Sequence, residues 1–254
     1  MDEVNQRLQL EAQRIASRHP IPEFYVRFRT PLAIARKLYF SDPMVRLLRE
    51  VLEPVFTDDF GHGLFHSSRV GIDSAALLFI ELETTPMEQS RVTRLMVLGL
   101  LAGLLHDIRR NEENHAEAGA EEAERVLRDM PLDEDEVRCI CLAIKNHEAF
   151  TETVQSRRPW FQLVSDCLYD ADKFRWGPDT FTHTLWHMAH YNHLTPQELI
   201  GKFPWGIEGL FRIQKTFRTS IGRDFGPQII DTGLEIGKEI YRYLLKHFGE
   251  DASG

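Results

Sequence analysis

An all-α fold is expected for this 254-residue chain on three observations. Apolar positions recur at spacings of three and four in nearly every segment. Alternation of the strand kind, bounded by hairpin turns, is absent, and no Pro/Gly/Ser-rich linker or internal repeat divides the sequence. At 43% apolar composition the chain can bury roughly 75% of its unfolded surface in one core. One compact unit is expected.

Taken in order, residues 1–18 read as one amphipathic helix that stops before His19-Pro20, and Pro31 to Tyr39 and Pro43 to Glu53 read as two more. A helix from about Leu64 to Leu82 follows, with His66 and Val70 four apart on one face. Thr85-Pro86-Met87-Glu88 has the form of a capping box with proline at the first helical position. The helix it should open runs through Leu95, Leu98, Leu101 and Leu105, is apolar nearly all round, and is the expected buried centre. His115 opens the next, whose Ala116, Gly119 and Ala120 permit close approach to a neighbour.

Pro131 and Asp133 start a helix in which Val137, Ile140, Ile144 and His147 form one stripe. After Pro159, Phe161, Val164, Leu168 and Asp172 do the same. The remainder reads as an appended layer: a helix near Thr180 to His193, a start at Thr195-Pro196-Gln197-Glu198, and a terminal helix from about Pro227 to Phe248. Within it, Lys215, Arg218 and Arg223 make Arg212 to Arg223 locally basic, facing solvent or an anion.

Composition narrows the function. A net charge of -9 gives no general footprint for a nucleic-acid polymer. Cys139, Cys141 and Cys167 form neither a paired framework nor a C-x-x-C unit, so they are expected as small buried residues in a reducing interior. The charged start MDEVNQRLQLEAQRI lacks the apolar segment of a secretory signal, and Leu95 to Leu105 is too short to cross a bilayer. A cytoplasmic protein without a membrane partner is expected; its oligomeric state is left open.

The chemistry is carried by His106-Asp107 at the end of the apolar helix. Neighbouring side chains on a helix diverge by about 100°, so this pair can serve two metal ions, or one ion and its water. His66, His115, His147 and Asp172 are the flanking candidates. A lone core-facing histidine is more often hydrogen-bonded core than ligand. Several buried ionisable groups that never met one another or a cation would nonetheless make the core unstable. Nitrogen and carboxylate donors without cysteine suit Fe, Mn, Zn or Ni with positions left open for water.

The strings FHSSRV around His66, LAGLLHDI around His106-Asp107 and YDADKF around Asp172 resemble the HD-domain superfamily of metal-dependent phosphohydrolases. The resemblance spans about residues 60–176. It implies an HD-domain-like helical bundle: N-terminal helices over 1–55 packed on a metal-binding core at 56–176, with a C-terminal helical extension over 177–254. It further implies that His66, His106, Asp107 and Asp172 hold one ion. His115 in NHAEAGAEEA and His147 in IKNHE match the subset with two metals, in which Asp107 would bridge to a second ion. Fe or Mn is implied first, with Zn, Ni, Co and Mg as alternatives.

One divalent ion beside two carboxylates carries no net charge, whereas two leave about +2, which draws phosphate and lowers the pKa of bound water. Hydrolysis of a small or nucleotide-like phosphate ester is therefore expected, as a phosphomonoesterase or phosphodiesterase, with His106 and Asp107 at its centre. Arg109, Arg110 and Lys173 are candidates for the substrate phosphate, with Lys145 and Asp73 behind them; all five read equally as solvated or structural charges. Asp170 is a candidate to orient a ligand histidine, although it lies on another helical face. His183, His187 and His190 share a face, and with His193 they read as a polar, aromatic face more than a metal site. His62 stands four residues before His66, and the motif favours His66. Phosphate loops of the G-x-x-x-x-G-K-[S/T] kind are absent. Two alternatives use the same residues: a diiron oxygenase of HD type, and a non-catalytic sensor whose metal is structural.

Overall fold

The structure is a computed structural model that describes residues 3–54 and 63–249. Among these residues the regular elements are all helical: α1 (Glu3–Ala16), α2 (Glu23–Arg27), α3 (Arg29–Ser41), α4 (Pro43–Leu52), α5 (Leu64–Leu82), α6 (Gln89–Leu105), α7 (His115–Leu127), α8 (Glu134–Lys145), α9 (Pro159–Phe174), a π-helical turn (Thr180–Thr184), α10 (Leu185–Tyr191), α11 (Pro196–Ile213) and α12 (Ser220–Phe248). The all-α expectation holds, and no helix among the described residues is long and apolar enough to cross a membrane.

α5 and α6 form the centre. Every residue of α6 from Leu95 to Leu105 is buried, which is why its sequence lacks a polar face. Glycines let the two backbones approach: a Cβ on Gly103 would stand 2.3 Å from Gly71 Cα and 2.4 Å from Gly71 N. α8 and α9 close the core beside this pair. Arg94 of α6 grips Glu136 of α8 at 2.5 and 2.6 Å. Glu136 also completes a capping box with Asp133 at the expected helix start, so one carboxylate satisfies the helix start and ties it to the core.

The N-terminal helices join the core through a buried polar knot. Arg175, just beyond α9, donates to Tyr25 of α2, to Asp73 of α5 and, at 2.6 Å, to Asp179. Tyr25 Oη also donates to Asp73 at 2.7 Å. Asp73 is thus structural and not a phosphate contact. The short α2 escapes periodicity arguments; Phe24 anchors it among Phe28, Phe174 and Phe225.

Three boundaries differ from the sequence expectation. Thr85 does not open α6: its N–H closes the last turn of α5 on Leu82 O, and α6 starts at Gln89 behind Glu88. The residue before a proline resists the helical region, so Thr85 and Pro86 act here as a stop. α12 starts at Ser220, capped by Thr219, and carries Pro227 within it. That proline lacks one helical N–H, yet Gly222, Phe225 and Gly226 are buried before it and hold the first turns in place. The helix expected over 180–193 begins as a π turn, which breaks its register. The capping box at Thr195 is present. Cys139 and Cys167 are buried free thiols, whereas Cys141 is half-buried.

Candidate metal centre

Six side chains from five elements meet at one end of the α5/α6 pair. His66 comes from the first turn of α5, and His106 and Asp107 follow the end of α6. His115 is the first residue of α7, His147 follows α8, and Asp172 lies in the last turn of α9. All six are buried. Four of them follow or end a helix and two begin one.

Asp107 divides the cluster. Its Oδ2 lies 3.4 Å from His106 Nε2 and 3.7 Å from His66 Nε2. Its Oδ1 lies 3.5 Å from His147 Nε2. The two imidazole nitrogens on the Oδ2 side are 3.3 Å apart, and Asp172 Oδ1 stands 3.4 Å from His66 and 3.7 Å from His106. Two overlapping trios result, His66-His106-Asp107 and Asp107-His115-His147, each with its donor atoms within 4.8 Å of one another. Among the described residues no other trio of this kind occurs.

The donor set fits a cation. Ligands held about 2.1 Å from one ion stand about 3.4 Å apart at the tetrahedral angle and about 3.0 Å apart at a right angle, and the observed spacings of 3.3–3.7 Å fall near the first value. His106 Nδ1 donates to Gly103 O at 2.8 Å and His147 Nδ1 to Ile144 O at 2.6 Å. These bonds fix the tautomer and leave each Nε2 lone pair facing the cluster. His147 Nε2 is buried without a hydrogen bond in that position. These buried His and Asp groups can hold a metal.

Electrostatics agree. Burial opposes ionisation of Asp172, but Lys173, a hydrogen bond from His66 and the charge of His106 outweigh it and hold the carboxyl well below its usual range. Burial also opposes protonation of His106, and Asp107 and Asp172 override it and raise the imidazole above its ordinary value. His115 goes the other way: burial, then Arg110 and His147, push it down to about 4. It is a neutral imidazole whose Nε2 accepts from Arg110 Nη1 at 2.8 Å. That guanidinium, 3.9 Å from Asp107 Oδ1, stands beside the second trio as a positive group.

The remaining candidates are placed as follows. Arg109 reaches Glu122 at 2.8 Å and Glu112 at 3.4 Å and does not touch the cluster. Arg110 touches it through His115. Lys173 is buried, bound to Asp172 Oδ2 and, at 3.0 Å, to His147 O. Lys145 pairs with Glu117 at 2.6 Å at the surface. Asp170 orients no histidine; its two oxygens each accept a 2.8 Å bond from the backbone N–H groups of Arg218 and Thr219, ahead of α12. The His183 and His187 rings lie tilted against each other with centroids 4.3 Å apart, His183 lies 5.1 Å from Phe65, and His193 has left the helix at φ 52°. His62 lies outside the described residues.

Two contributors went unrecognised in the sequence. Asn146 accepts from Val154 N and donates to Val154 O, both at 2.9 Å, pinning the loop that carries His147. Arg218, noted only as part of a basic stretch, lies 3.5 Å from the Tyr169 ring centroid and donates to Asn146 O at 2.9 Å. An arginine preceding a helix cap is the faint signal that was available.

No family model matches this chain, and no curated protein does either. Among solved structures, a predicted HD superfamily hydrolase from an uncultured Thermotogales bacterium is 22% identical, with a TM-score of 0.46. The match covers 82% of this chain and 94% of that one. Such a likeness leaves the chemistry to be argued from the side chains of this chain alone.

Proposed function

We propose that the chain is a metal-dependent phosphohydrolase, a phosphomonoesterase or phosphodiesterase, acting on a small or nucleotide-like phosphate ester in the cytoplasm. Residues 56–176 would form the metal-binding core, and the flanking helices would build the pocket walls. The observation that carries this reading is the division of Asp107, whose two oxygens face separate sets of imidazole nitrogens 3.4 and 3.5 Å away. A residue so placed serves two ions better than one. His66, His106, Asp107 and Asp172 would hold the first, and Asp107, His115 and His147 the second; the donors suit Fe, Mn, Zn or Ni, and the HD-domain resemblance puts Fe or Mn first. Bound there, divalent ions would lower the pKa of a water and neutralise phosphate oxygens.

The chain's own groups supply orientation and charge. Gly103 O and Ile144 O hold the imidazoles of His106 and His147 in the tautomer that leaves Nε2 unprotonated. Arg110, with its side chain 40% exposed, is the cation placed to meet a phosphate oxygen from solvent. Hydrolysis adds the water oxygen to phosphorus, breaks the P–O bond to the leaving alcohol and transfers the water proton to that oxygen.

The test is metal analysis of anaerobically purified protein, then a panel of phosphate esters with Mn, Co, Ni, Mg or Fe supplied. Metal-dependent release of phosphate or alcohol, lost in Asp107→Ala, is expected. Equal inactivity of the loaded wild type and the variant on a broad panel would remove the proposal. Oxygen uptake with substrate and a mixed-valent diiron signal would replace it with oxygenation.

A further inference from the structure

We infer that Lys173 is a positioning residue that confines Asp172 to a single ligand oxygen and so keeps a coordination position open for water or substrate. This rests on the metal-site reading above and adds to it. Adjacent helical residues normally diverge, yet the Lys173 ammonium folds back onto Asp172 Oδ2. The other oxygen, Oδ1, is the one that faces His66 and His106, at 3.4 and 3.7 Å. One carboxylate is thereby split between a lysine and the cluster.

The lysine is itself held in place. It is 3% exposed, donates to His147 O at 3.0 Å, and lies 5.0 Å from the Tyr169 ring centroid and 5.9 Å from that of Trp176. A buried ammonium is costly unless paired and hydrogen-bonded; here a carboxylate, a carbonyl and two aromatic faces supply that compensation. A lysine so enclosed cannot extend to a substrate in solvent. What it can do is occupy Oδ2. Carboxylates bind hard ions through one or both oxygens, and a second oxygen on the ion fills the place that a catalytic site leaves to water. The bond to His147 O links the same ammonium to the residue serving the other trio, so its removal loosens both halves.

The experiment is water-proton relaxivity of bound Mn2+, normalised per ion, in the wild type, Lys173→Met and Lys173→Gln. Methionine removes the donor; glutamine retains an N–H for Oδ2. Lys173→Met should lose about one exchangeable water at the first ion, whereas Lys173→Gln should match the wild type. Unchanged relaxivity in Lys173→Met overturns the inference, and so does an equal loss in both variants, which would point to disturbed packing. Should Lys173→Met fail to fold, a Mn2+-loaded crystal structure of the wild type decides: Oδ2 on Lys173 and off the ion is expected, and both Asp172 oxygens on the ion overturns the inference. If the wild type takes up no Mn2+, the metal-site reading fails and this inference with it; uptake with the wrong water count sinks this inference alone.

Discussion

Gly103→Ala tests the platform on which the cluster stands. The new Cβ would meet Gly71 Cα at 2.3 Å, Gly71 N at 2.4 Å and the Val70 carbonyl carbon at 3.0 Å. Carbon atoms settle at about 3.5–4.0 Å, so α5 and α6 must part by about 1–1.5 Å. The obstacle is backbone, which cannot rotate aside as a side chain would. Overpacking of this kind costs about 1–3 kcal/mol and sometimes more, while alanine returns up to about 1 kcal/mol of helix propensity. A net loss of about 1–2 kcal/mol is expected as a lower urea midpoint at unchanged slope. The site should suffer further, because His66 and His106 belong one to each side of the helix pair that would part, and Gly103 O is the acceptor that orients His106. Sites tolerate displacements of about 0.5 Å, so metal uptake should fall along with stability. Gly201→Ala is the control: it faces open space on α11 and should stabilise by up to about 1 kcal/mol. If Gly103→Ala matches the wild type in both midpoint and metal uptake, the close crossing is wrong.

Other consequences are checked independently. Burial, working against two amide donors, pushes Asp170 up to about 6. A carboxylate raised on folding stabilises fully below its unfolded pKa near 4 and loses that contribution as pH rises through 6. The stability of the wild type relative to Asp170→Asn should therefore fall by up to about 3 kcal/mol between pH 4 and pH 7, and a flat difference in urea melts would contradict the shift. Arg175→Met leaves the buried carboxylate of Asp73 with the Tyr25 hydroxyl alone, while the half-buried Asp179 keeps Arg69, and should cost about 3–5 kcal/mol; in a double-mutant cycle with Asp73→Asn the losses should fall short of additive. Arg110→Ala withdraws a positive charge from beside His115. Calorimetric titration should show metal uptake tightened about fivefold, or roughly 1 kcal/mol after discounting for its exposure, with weaker uptake as the contrary outcome.

Much of the helical layout was legible because burial leaves a period in the sequence. α5 begins and ends at the residues its pattern indicated, α7 begins at His115, and the helix starts expected at Asp133 and Thr195 form, each closed by a capping box. Thr85 misled because a Thr-Pro pair stops a helix as readily as it starts one, and only the acceptor on Leu82 separates the two. α2 was invisible because five residues around Phe24 are too few to show a period. At the site, sequence placed each candidate on a core stripe or a helix end, but the meeting of five elements is a tertiary fact. Side-chain direction was the least legible part. Arg109 and Arg110 are adjacent, yet one turns to Glu122 and the other to His115. Lys173 and Asp172 should diverge, yet they bond.

The backbone supplies a further reason for cations to gather here. α6 ends immediately before His106, α8 ends at Lys145 two residues before His147, and α9 is in its last turn at Asp172. The carbonyl end of a helix carries a partial negative charge that falls off within a turn, so three such ends lie next to residues of a cluster that already holds two carboxylates. Lys173 and Arg110 offset part of that negative potential. Both side chains are tethered, one by burial and its bonds to Asp172 and His147 O, the other by its bond to His115. The apolar length of α6 explains why the charge is tolerable at all: it confines the polar groups to one end of the helix pair, so the rest of the core bears no share of their desolvation. An apolar helix that stops at two candidate ligands would therefore be one device with two parts, a rigid crossing that sets the distances between donor atoms and a helix terminus that would make a bound cation favourable.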